Sequence, residues 1–246
     1  MLKKRYILGV GITAVNEDKI LEFLGEELKK PKKARQKAII FTPNPEQISR
    51  AVGEPKLLRM LNEADIALPD GVGILIASKI VPGEGEPIRA KIAGVDFMKS
   101  LVKSVSKQPI KTGYFGGAPS IAEEAANCLQ KMYPGVAVGY ASDVYDKAKM
   151  IESDIDILFV GLGFPKQEEW IMAHKSEIPA TIIMAVGGSL DFLSGKVVRA
   201  PKFVRSIGLE WLFRLIIQPW RFFRQLRLLH FSALILVEAL SSRVKK

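Results

Sequence analysis

The segment Asp156–Trp170, with the sequence DILFVGLGFPKQEEW, constrains the fold of this chain more than any other segment. Its apolar run Ile157–Val160 has the length of a β-strand that is buried on both faces. Gly161 and Gly163 follow, and they allow the backbone to turn sharply and to approach a ligand. Pro165, at the expected first helical position, and the charged residues after it predict a helix. This order offers backbone N–H groups to an anion such as phosphate, although it is also typical of an ordinary strand-to-helix turn.

The same alternation of strands and helices continues along most of the chain. Strands are predicted at residues 5–13, 38–42, 66–68, 111–115, 136–140, 157–160 and 181–186. Helices are predicted at 17–28, 46–52, 56–63, 72–80, 96–106, 120–132, 144–152, 166–174, 202–217 and 219–240, with Ser120 and Glu123 as a capping box. Alternating strands and helices indicate an α/β fold whose largely parallel sheet is covered by helices on both faces.

The excess positive charge lies almost entirely in the last fifth of the chain. Residues 196–246 contain eleven Lys and Arg against two Glu, which gives +9 of the total net charge of +10. We therefore predict a core at residues 1–195 and a helical appendage at 196–246. A single cysteine, Cys128, excludes a disulfide framework and fits a reducing compartment. The N-terminal apolar run is too short for a signal peptide, and no uncharged apolar run is long enough to span a membrane.

The appendage combines basic and aromatic side chains. Its aromatic residues are interleaved with arginines: Trp211, Phe213, Trp220, Phe222, Phe223 and Phe231 with Arg214, Arg221, Arg224 and Arg227. Such a helix suits the interface of an anionic membrane. The alternatives are a helix that packs on the body of the protein or on another subunit, and a nucleic-acid-binding segment. Nothing in the sequence resembles a recognition helix or an RNA-binding motif, so no nucleic-acid partner is expected.

Six loops follow the predicted strands, and ligands of parallel sheets bind at the carboxyl ends of strands. The six loops are Thr42–Asn44, Pro69–Gly71, Gly116–Gly117, Tyr140–Asp143, Gly161–Gln167 and Gly187–Asp191, and all but the first and the fourth contain glycine. They contain the candidate ligand-binding residues Gly116, Gly117, Tyr140, Gly161, Gly163, Phe164, Lys166, Gly187, Gly188 and Asp191. No cluster of His, Cys and carboxylate residues indicates a metal site, and neither a metal nor a cofactor is expected.

Asp70 is a candidate general base because it directly follows a strand, between Pro69 and Gly71. Its alternative role is to cap the next helix. On the neighbouring loop, Thr42 and Asn44 could hydrogen-bond a sugar or a phosphate, or simply stabilise the turn.

Six ordered blocks of the sequence resemble the WecG/TagA/CpsF glycosyltransferases of bacterial surface-polymer synthesis. The resemblance covers nearly the whole chain, and its last block is long. The blocks are TPNPE (Thr42–Glu46), LPDGVGI (Leu68–Ile74), IAGVDFM (Ile92–Met98), FGG (Phe115–Gly117), GLGFPKQEEWI (Gly161–Ile171) and VGGSLDFLSGKVVRAPKFVRSIGLEWLFRLIIQPWR (Val186–Arg221).

The resemblance implies a Rossmann-like, inverting and metal-independent transferase at the cytoplasmic membrane face. It would move an N-acetylmannosamine-type sugar from a UDP-sugar to GlcNAc on undecaprenyl diphosphate, for a teichoic acid, a capsule or another surface polysaccharide. Asp70 would then be the general base, and Thr42, Asn44 and Gln167 would position the donor. The same resemblance implies that the acceptor diphosphate or the leaving group contacts the arginines of the appendage, Arg214, Arg221 and Arg224.

The sequence departs from the family pattern at one position. The family usually has arginine directly before its [VI]xGxD block, whereas this chain has Lys91 there and Arg89 two residues earlier. Lysine keeps the charge but loses the bidentate fork of arginine, so either residue is a candidate for that role. The alternative functions are a non-catalytic protein that binds a nucleotide, or nucleic acid through the basic tail, and a soluble nucleotide-dependent oxidoreductase. A homo-oligomer is possible.

Overall fold

The computed structural model describes residues 2–83, 85–219 and 222–244. The described residues form the strands β1 Lys4–Ile7, β2 Val10–Thr13, β3 Ala38–Phe41, β4 Ile66–Ala67, β5 Lys111–Gly116, β6 Ala137–Ser142, β7 Ile157–Gly161 and β8 Ile182–Ala185. The helices are α1 Glu17–Lys29, α2 Pro45–Val52, α3 Pro55–Asn62, α4 Val72–Ile80, α5 Gly94–Val105, α6 Ile121–Met132, α7 Lys147–Glu152, α8 Lys166–His174, α9 Ser189–Leu193, α10 Lys202–Ser206, α11 Glu210–Ile217 and α12 Phe222–Val244.

Six of the strands form one parallel sheet in the order β4-β3-β8-β7-β5-β6. Helices connect them, so the α/β, Rossmann-like fold predicted from the sequence is confirmed. A parallel pair needs such a crossover because its strands run in the same direction. As a consequence, the loops after all six strands lie at the same edge of the sheet.

Side-chain alternation along the strands divides the core into two layers. On β7, Leu158 and Val160 join residues of α2, α3, α4 and α8 on one face of the sheet. Ile157 and Phe159 join residues of α1, α5 and α6 on the other face. All four side chains are fully buried, and each such burial contributes about 1.5–3 kcal/mol to folding. The continuous apolar run of β7 therefore has the cause inferred from the sequence, which is burial on both faces.

The N-terminal segment departs from the prediction of a single strand at residues 5–13. It forms an antiparallel hairpin of β1 and β2, separate from the main sheet. Leu8 and Gly9 have φ angles of 49° and 79°, as two-residue hairpin turns require. Leucine rarely adopts this left-handed conformation, so the turn has no clear signal in the sequence.

Two further local predictions are wrong. Ser120 has a φ of 69° and makes no capping bond to the backbone of α6, so the predicted capping box does not form. Its hydroxyl instead donates to Glu124 at 2.8 Å. The single helix predicted at residues 202–217 is divided into α10 and α11, and Gly208 lies between them with a φ of 79°.

The last helix, α12, packs against the body of the protein. Phe231 and Ile235 are buried and belong to the same core as α2 and α4. The Ser49 hydroxyl on α2 also lies 2.8 Å from Nδ1 of His230. One face of α12 therefore packs on the body of the protein, which was one of the alternatives considered from the sequence. The boundary after residue 195 stays a prediction. Within the described residues, no helix is both long and apolar enough to cross a membrane.

Candidate active site

The strand order creates a crevice between β5 and β7. The chain leaves β5 through α6 toward the outer strand β6, whereas it leaves β7 through α8 toward β8 on the other side. Parallel sheets bind their ligands where such connections diverge. The backbone N–H of Gly117 donates to the carbonyl of Gly161 at 3.1 Å, so the two glycine loops meet directly at this point.

Asp70 lies at the same edge of the sheet, after β4, and β3, β8 and β7 lie between that strand and the crevice. Its N–H donates to the carbonyl of Pro43 at 3.3 Å, which joins the loops after β3 and β4. The next helix, α4, has Gly71 at its N-cap and no side-chain cap. The side chain of Asp70 therefore does not cap α4, which was its alternative role in the sequence analysis.

The environment of Asp70 raises its pKa to about 6. Burial is the largest cause, and the negative charge of Glu210 adds to it. The positive charges of Arg214, Lys91 and Arg199 act in the opposite direction. A carboxylate with this pKa is mostly ionised at neutral pH and is a stronger base than an ordinary aspartate.

Arg214 on α11 is the cation that acts most strongly on Asp70. Its guanidinium lies 4.5 Å from the centre of the Phe192 ring, and its Nη2 lies 3.4 Å from Oε1 of Glu210. The ring contact and the ion pair hold Arg214 between α9 and α11. The C-terminal region therefore contributes charge to the surroundings of Asp70.

Gln167 joins the loop after β7 to the loop after β8. Its side-chain oxygen accepts from the backbone N–H of Gly187 at 2.8 Å, and its Nε2 donates to Glu168 at 2.9 Å. Both side chains are buried. Among the described residues, the second carboxyl oxygen of Glu168 is buried without a hydrogen-bond partner, and burial raises the pKa of this group to about 7. The neutral carboxyl group is therefore favoured at this position below about pH 7.

This edge of the sheet can perform two kinds of chemistry. Asp70 can accept a proton from a hydroxyl group. The surrounding cations can stabilise an anion that develops next to it. Among the residues that the structure describes, no group of three or more His, Cys, Asp and Glu side chains could hold a metal ion.

Comparison with known proteins identifies the family. The model of the "Glycosyl transferase WecG/TagA/CpsF family" matches residues 5–245. The chain belongs to this family of glycosyltransferases. It is therefore an enzyme of the transferase class, as the resemblance of its sequence blocks implied.

Three relatives illustrate how similar this WecG/TagA/CpsF chain is to named enzymes. It is 34% identical to a protein of Bacillus spizizenii over 195 residues, covering 77% of this chain and 75% of the relative. A Bacillus subtilis protein is 30% identical over 207 residues, with 82% and 80% covered. A Staphylococcus aureus protein is 32% identical over 190 residues, with 74% and 72% covered. All three are named N-acetylglucosaminyldiphosphoundecaprenol N-acetyl-beta-D-mannosaminyltransferase.

Thr42 and Asn44 of this glycosyltransferase lie at the sheet edge and also have structural partners. Thr42 is buried, and its hydroxyl donates to the carbonyl of Ala185 at 3.4 Å. Asn44 forms a capping box with Gln47, in which its side-chain oxygen accepts from the Gln47 N–H at 3.0 Å. The turn chemistry considered for Asn44 therefore occupies its side-chain oxygen.

The glycines of the two central loops serve packing first. A Cβ at Gly161 would lie 2.6 Å from Leu190, and a Cβ at Gly117 would lie 2.6 Å from Ile121. At Gly163, by contrast, a Cβ would meet nothing within 4 Å, and the φ of 76° alone requires glycine. The backbone at Gly163 is thus the part of this loop that is open to approach.

The remaining predicted loop residues are placed as follows. The hydroxyl of Tyr140 donates to the carbonyl of Val144 at 3.1 Å and so stabilises its own loop. The ring of Phe164 lies under the guanidinium of Arg50, with 5.7 Å to the ring centre. Gly116 is buried, whereas Lys166, Gly187, Gly188 and Asp191 are partly or fully exposed at this edge.

Lys91, rather than Arg89, lies near Asp70. The Lys91 ammonium donates to the backbone carbonyl of Arg205 at 2.6 Å, and its charge acts on Asp70. Arg89 is exposed and pairs with Glu86. Of the other arginines expected at the site, Arg221 lies outside the described residues. The backbone of Arg224 belongs to α12, while its side chain lies outside the description.

Sequence reasoning missed a group of charged residues beside Asp70. They are Asp96, Arg199, Arg205 and Glu210, which form ion pairs with one another or with Arg214. Asp96 and Arg199 are 103 residues apart in the chain. Asp96 lies in the block Ile92–Met98 and Arg199 in the block Val186–Arg221, and both blocks match the family. Their membership of these blocks was the signal in the sequence that could have identified them.

Proposed function

We propose that this enzyme transfers an N-acetylmannosamine-type sugar from a UDP-sugar to GlcNAc linked to undecaprenyl diphosphate. In this proposal the transfer inverts the configuration at the sugar and requires no metal ion. The named relatives support the sugar and the acceptor, since each is named as an N-acetylmannosaminyltransferase that acts on this lipid-linked GlcNAc. Their names do not specify the donor nucleotide.

The observation that carries the proposal is the environment of Asp70. An inverting transfer needs a base that removes the proton of the acceptor hydroxyl on the side opposite to the leaving group. Asp70 has a pKa raised to about 6 and lies on the loop after β4, apart from the glycine loops after β5 and β7. We therefore assign the acceptor side to Asp70 and the donor side to the crevice between β5 and β7.

The leaving UDP develops negative charge on its diphosphate, and a metal-free enzyme must stabilise that charge with its own groups. Arg214 and Lys91 are available near Asp70. Helix α8 begins next to the open backbone of Gly163 and adds N–H groups. We propose that these groups contact the diphosphate of the donor or of the lipid acceptor.

We also propose that the C-terminal helices rest on the anionic cytoplasmic face of a bacterial cell membrane. Phe203, Ile216, Phe223 and Leu229 are exposed by 70%, 70%, 77% and 69%, which is high for large apolar side chains. Residues 196–246 have a net charge of +9, which attracts anionic lipids. A lipid-linked acceptor also requires the site to work close to a bilayer.

The experiment that tests the proposed function measures UDP release by the full-length protein. The assay supplies UDP-N-acetylmannosamine and a short-chain lipid diphosphate bearing GlcNAc, with and without EDTA. We expect release of UDP that requires the acceptor, is unaffected by EDTA and yields an inverted linkage. Release that stops with EDTA would contradict the metal-free mechanism. No acceptor-dependent release with any UDP-sugar would contradict the proposed reaction.

A further inference from the structure

Two segments that are distant in the sequence are tied together beside Asp70. Arg199 donates two hydrogen bonds to Asp96, from Nη1 to Oδ1 at 2.6 Å and from Nη2 to Oδ2 at 2.7 Å. Nη1 of Arg205 lies 3.5 Å from the same carboxylate, and Lys91 donates to the backbone carbonyl of Arg205 at 2.6 Å. We call these four residues, Lys91, Asp96, Arg199 and Arg205, the latch. A bidentate guanidinium–carboxylate pair is both strong and specific in its geometry.

The latch continues into α11. Nε of Arg199 lies 3.9 Å from Oε1 of Glu210, and Nη2 of Arg214 lies 3.4 Å from the same oxygen. Only 15% of the Arg199 side chain is exposed, and its Nε makes no hydrogen bond within the described part of the chain. Arg199 therefore lies between the first turn of α5 and the first turn of α11 and contacts both.

Asp96 keeps its charge over the pH range in which Asp70 titrates. Burial alone would raise the pKa of Asp96, but the hydrogen bonds from Arg199 and the charges of Arg199, Arg205 and Lys99 outweigh it and lower the pKa. The Asp96–Arg199 pair is thus ionised whether or not Asp70 holds a proton.

We propose that the latch positions the charged groups around the catalytic base. By pairing Asp96 with Arg199 and Arg205, it holds α11 in place so that Arg214 and Glu210 face Asp70. Asp96 and Arg199 are positioning residues in this account, because they act through α11. The charged groups that face Asp70 are Glu210 and Arg214 from α11 and Lys91 and Arg199 from the latch itself. The proposal rests on the proposed function only in taking Asp70 as the base.

The test compares variants of the full-length protein. Arg199→Met removes both the positive charge and the forked guanidinium group. Arg199→Lys keeps the charge and a similar volume, so it serves as a control for simple misfolding. Asp96→Asn removes the partner, and the double variant closes a thermodynamic cycle. The matched control is Glu177→Gln, which breaks the exposed Lys147–Glu177 ion pair of 3.0 Å, another pair between distant parts of the chain.

The first readout does not depend on activity. Hydrogen exchange reports the opening of α11, and carbon NMR reports the pH at which Asp70 titrates. In Arg199→Met we expect the amides of α11 to exchange at least about tenfold faster. In Asp96→Asn, which breaks the pair but keeps the charge of Arg199, we expect Asp70 to titrate at lower pH, because water then reaches a group whose pKa is raised mainly by burial. A folded variant with unchanged exchange in α11 and unchanged titration of Asp70 would overturn the proposal.

The second readout is the kinetics of transfer. We expect Arg199→Met to lower kcat on the order of 100-fold, since small misplacements of catalytic groups have effects of this size, with a donor KM within about threefold of wild type. The kcat of Arg199→Lys should lie between those of the wild type and Arg199→Met. Adding Asp96→Asn to Arg199→Met should lower kcat only a little further. Fully additive losses with an unshifted pH profile would contradict the latch. If the wild-type protein transfers no sugar, the proposed function fails, while hydrogen exchange and titration still decide on the latch.

Discussion

Two carboxyl groups of this enzyme have pKa values that are raised mainly by burial. At Asp70, burial and the charge of Glu210 raise the pKa against three cations, which leaves it at about 6. At Glu168, burial is opposed mainly by a hydrogen bond from Gln167, and the pKa reaches about 7. Burial is the largest cause at both groups, but surrounding charges modify it at Asp70, whereas a hydrogen bond from Gln167 modifies it at Glu168.

The pH profile of transfer tests the state of Asp70. A general base works only when it is ionised, so kcat/KM should fall as the pH decreases through about 6. The measurement is kcat/KM for the lipid acceptor between pH 5 and pH 8. A rate that is flat down to pH 5 would show that no group with this pKa must be ionised for the reaction.

The stability of the Glu168→Gln variant tests the buried carboxyl group. The folded pKa of Glu168 is raised above the unfolded value, so its contribution to stability is present at low pH and is lost as the pH rises through about 7. Relative to wild type, Glu168→Gln should gain about 2–3 kcal/mol of unfolding free energy between pH 5 and pH 8.

Denaturant unfolding at the two pH values measures this difference. The control is Glu169→Gln, since Glu169 lies on the same helix, is 44% exposed at its side chain and contacts Lys56 at 3.7 Å. A pH-independent difference for Glu168→Gln would mean that this carboxyl group is already ionised in the folded protein at pH 5.

At the scale of the elements, Gly161 couples the end of β7 to α9. A Cβ at this position would lie 2.6 Å from Leu190 and 3.1 Å from the carbonyl of Gly187. Gly161→Ala should therefore lower the free energy of unfolding by about 1–3 kcal/mol, as overpacking usually does. Gly25→Ala in α1 is the control, because its Cβ would meet nothing within 4 Å. It should stabilise the protein by about 0.5–1 kcal/mol, and equal effects of the two substitutions would contradict this packing account.

Periodicity predicted β3, β7 and β8, because each is an apolar run followed closely by glycine or proline. It failed where the determining fact is a backbone angle or a distant partner. Leu8 and Ser120 adopt positive φ angles that their side chains do not indicate. The position of Asp70, by contrast, was predictable, because it directly follows the end of its strand. The Asp96–Arg199 pair was not, since it depends on how residues 199–205 return to the body of the protein.

At the scale of the whole molecule, α12 has two apolar faces. Phe231 and Ile235 are buried against α2 and α4, whereas Phe223 and Leu229 are exposed. Deleting the chain after Gly195 would therefore uncover part of the core as well as remove the proposed membrane surface. Single substitutions on each face separate the two roles.

Phe223→Ser should weaken sedimentation with vesicles that contain anionic lipid and should leave the unfolding free energy within about 0.5 kcal/mol of wild type. Phe231→Ala should instead lower the unfolding free energy by about 3–5 kcal/mol, because it leaves a cavity against α2 and α4. Co-sedimentation and denaturant unfolding of both variants make the comparison. Unchanged vesicle binding by Phe223→Ser would contradict the assignment of the exposed face.

The central claim, that Asp70 is the base of a glycosyl transfer to a lipid-linked acceptor, is tested most directly by Asp70→Asn. The amide keeps the shape of the side chain and cannot take the proton. We expect kcat for transfer to fall by about 100- to 10,000-fold, the usual contribution of a general base, while the Kd for UDP stays within about threefold. Asp18→Asn, an exposed substitution in the first turn of α1, is the control. Turnover by Asp70→Asn close to that of wild type would contradict the account.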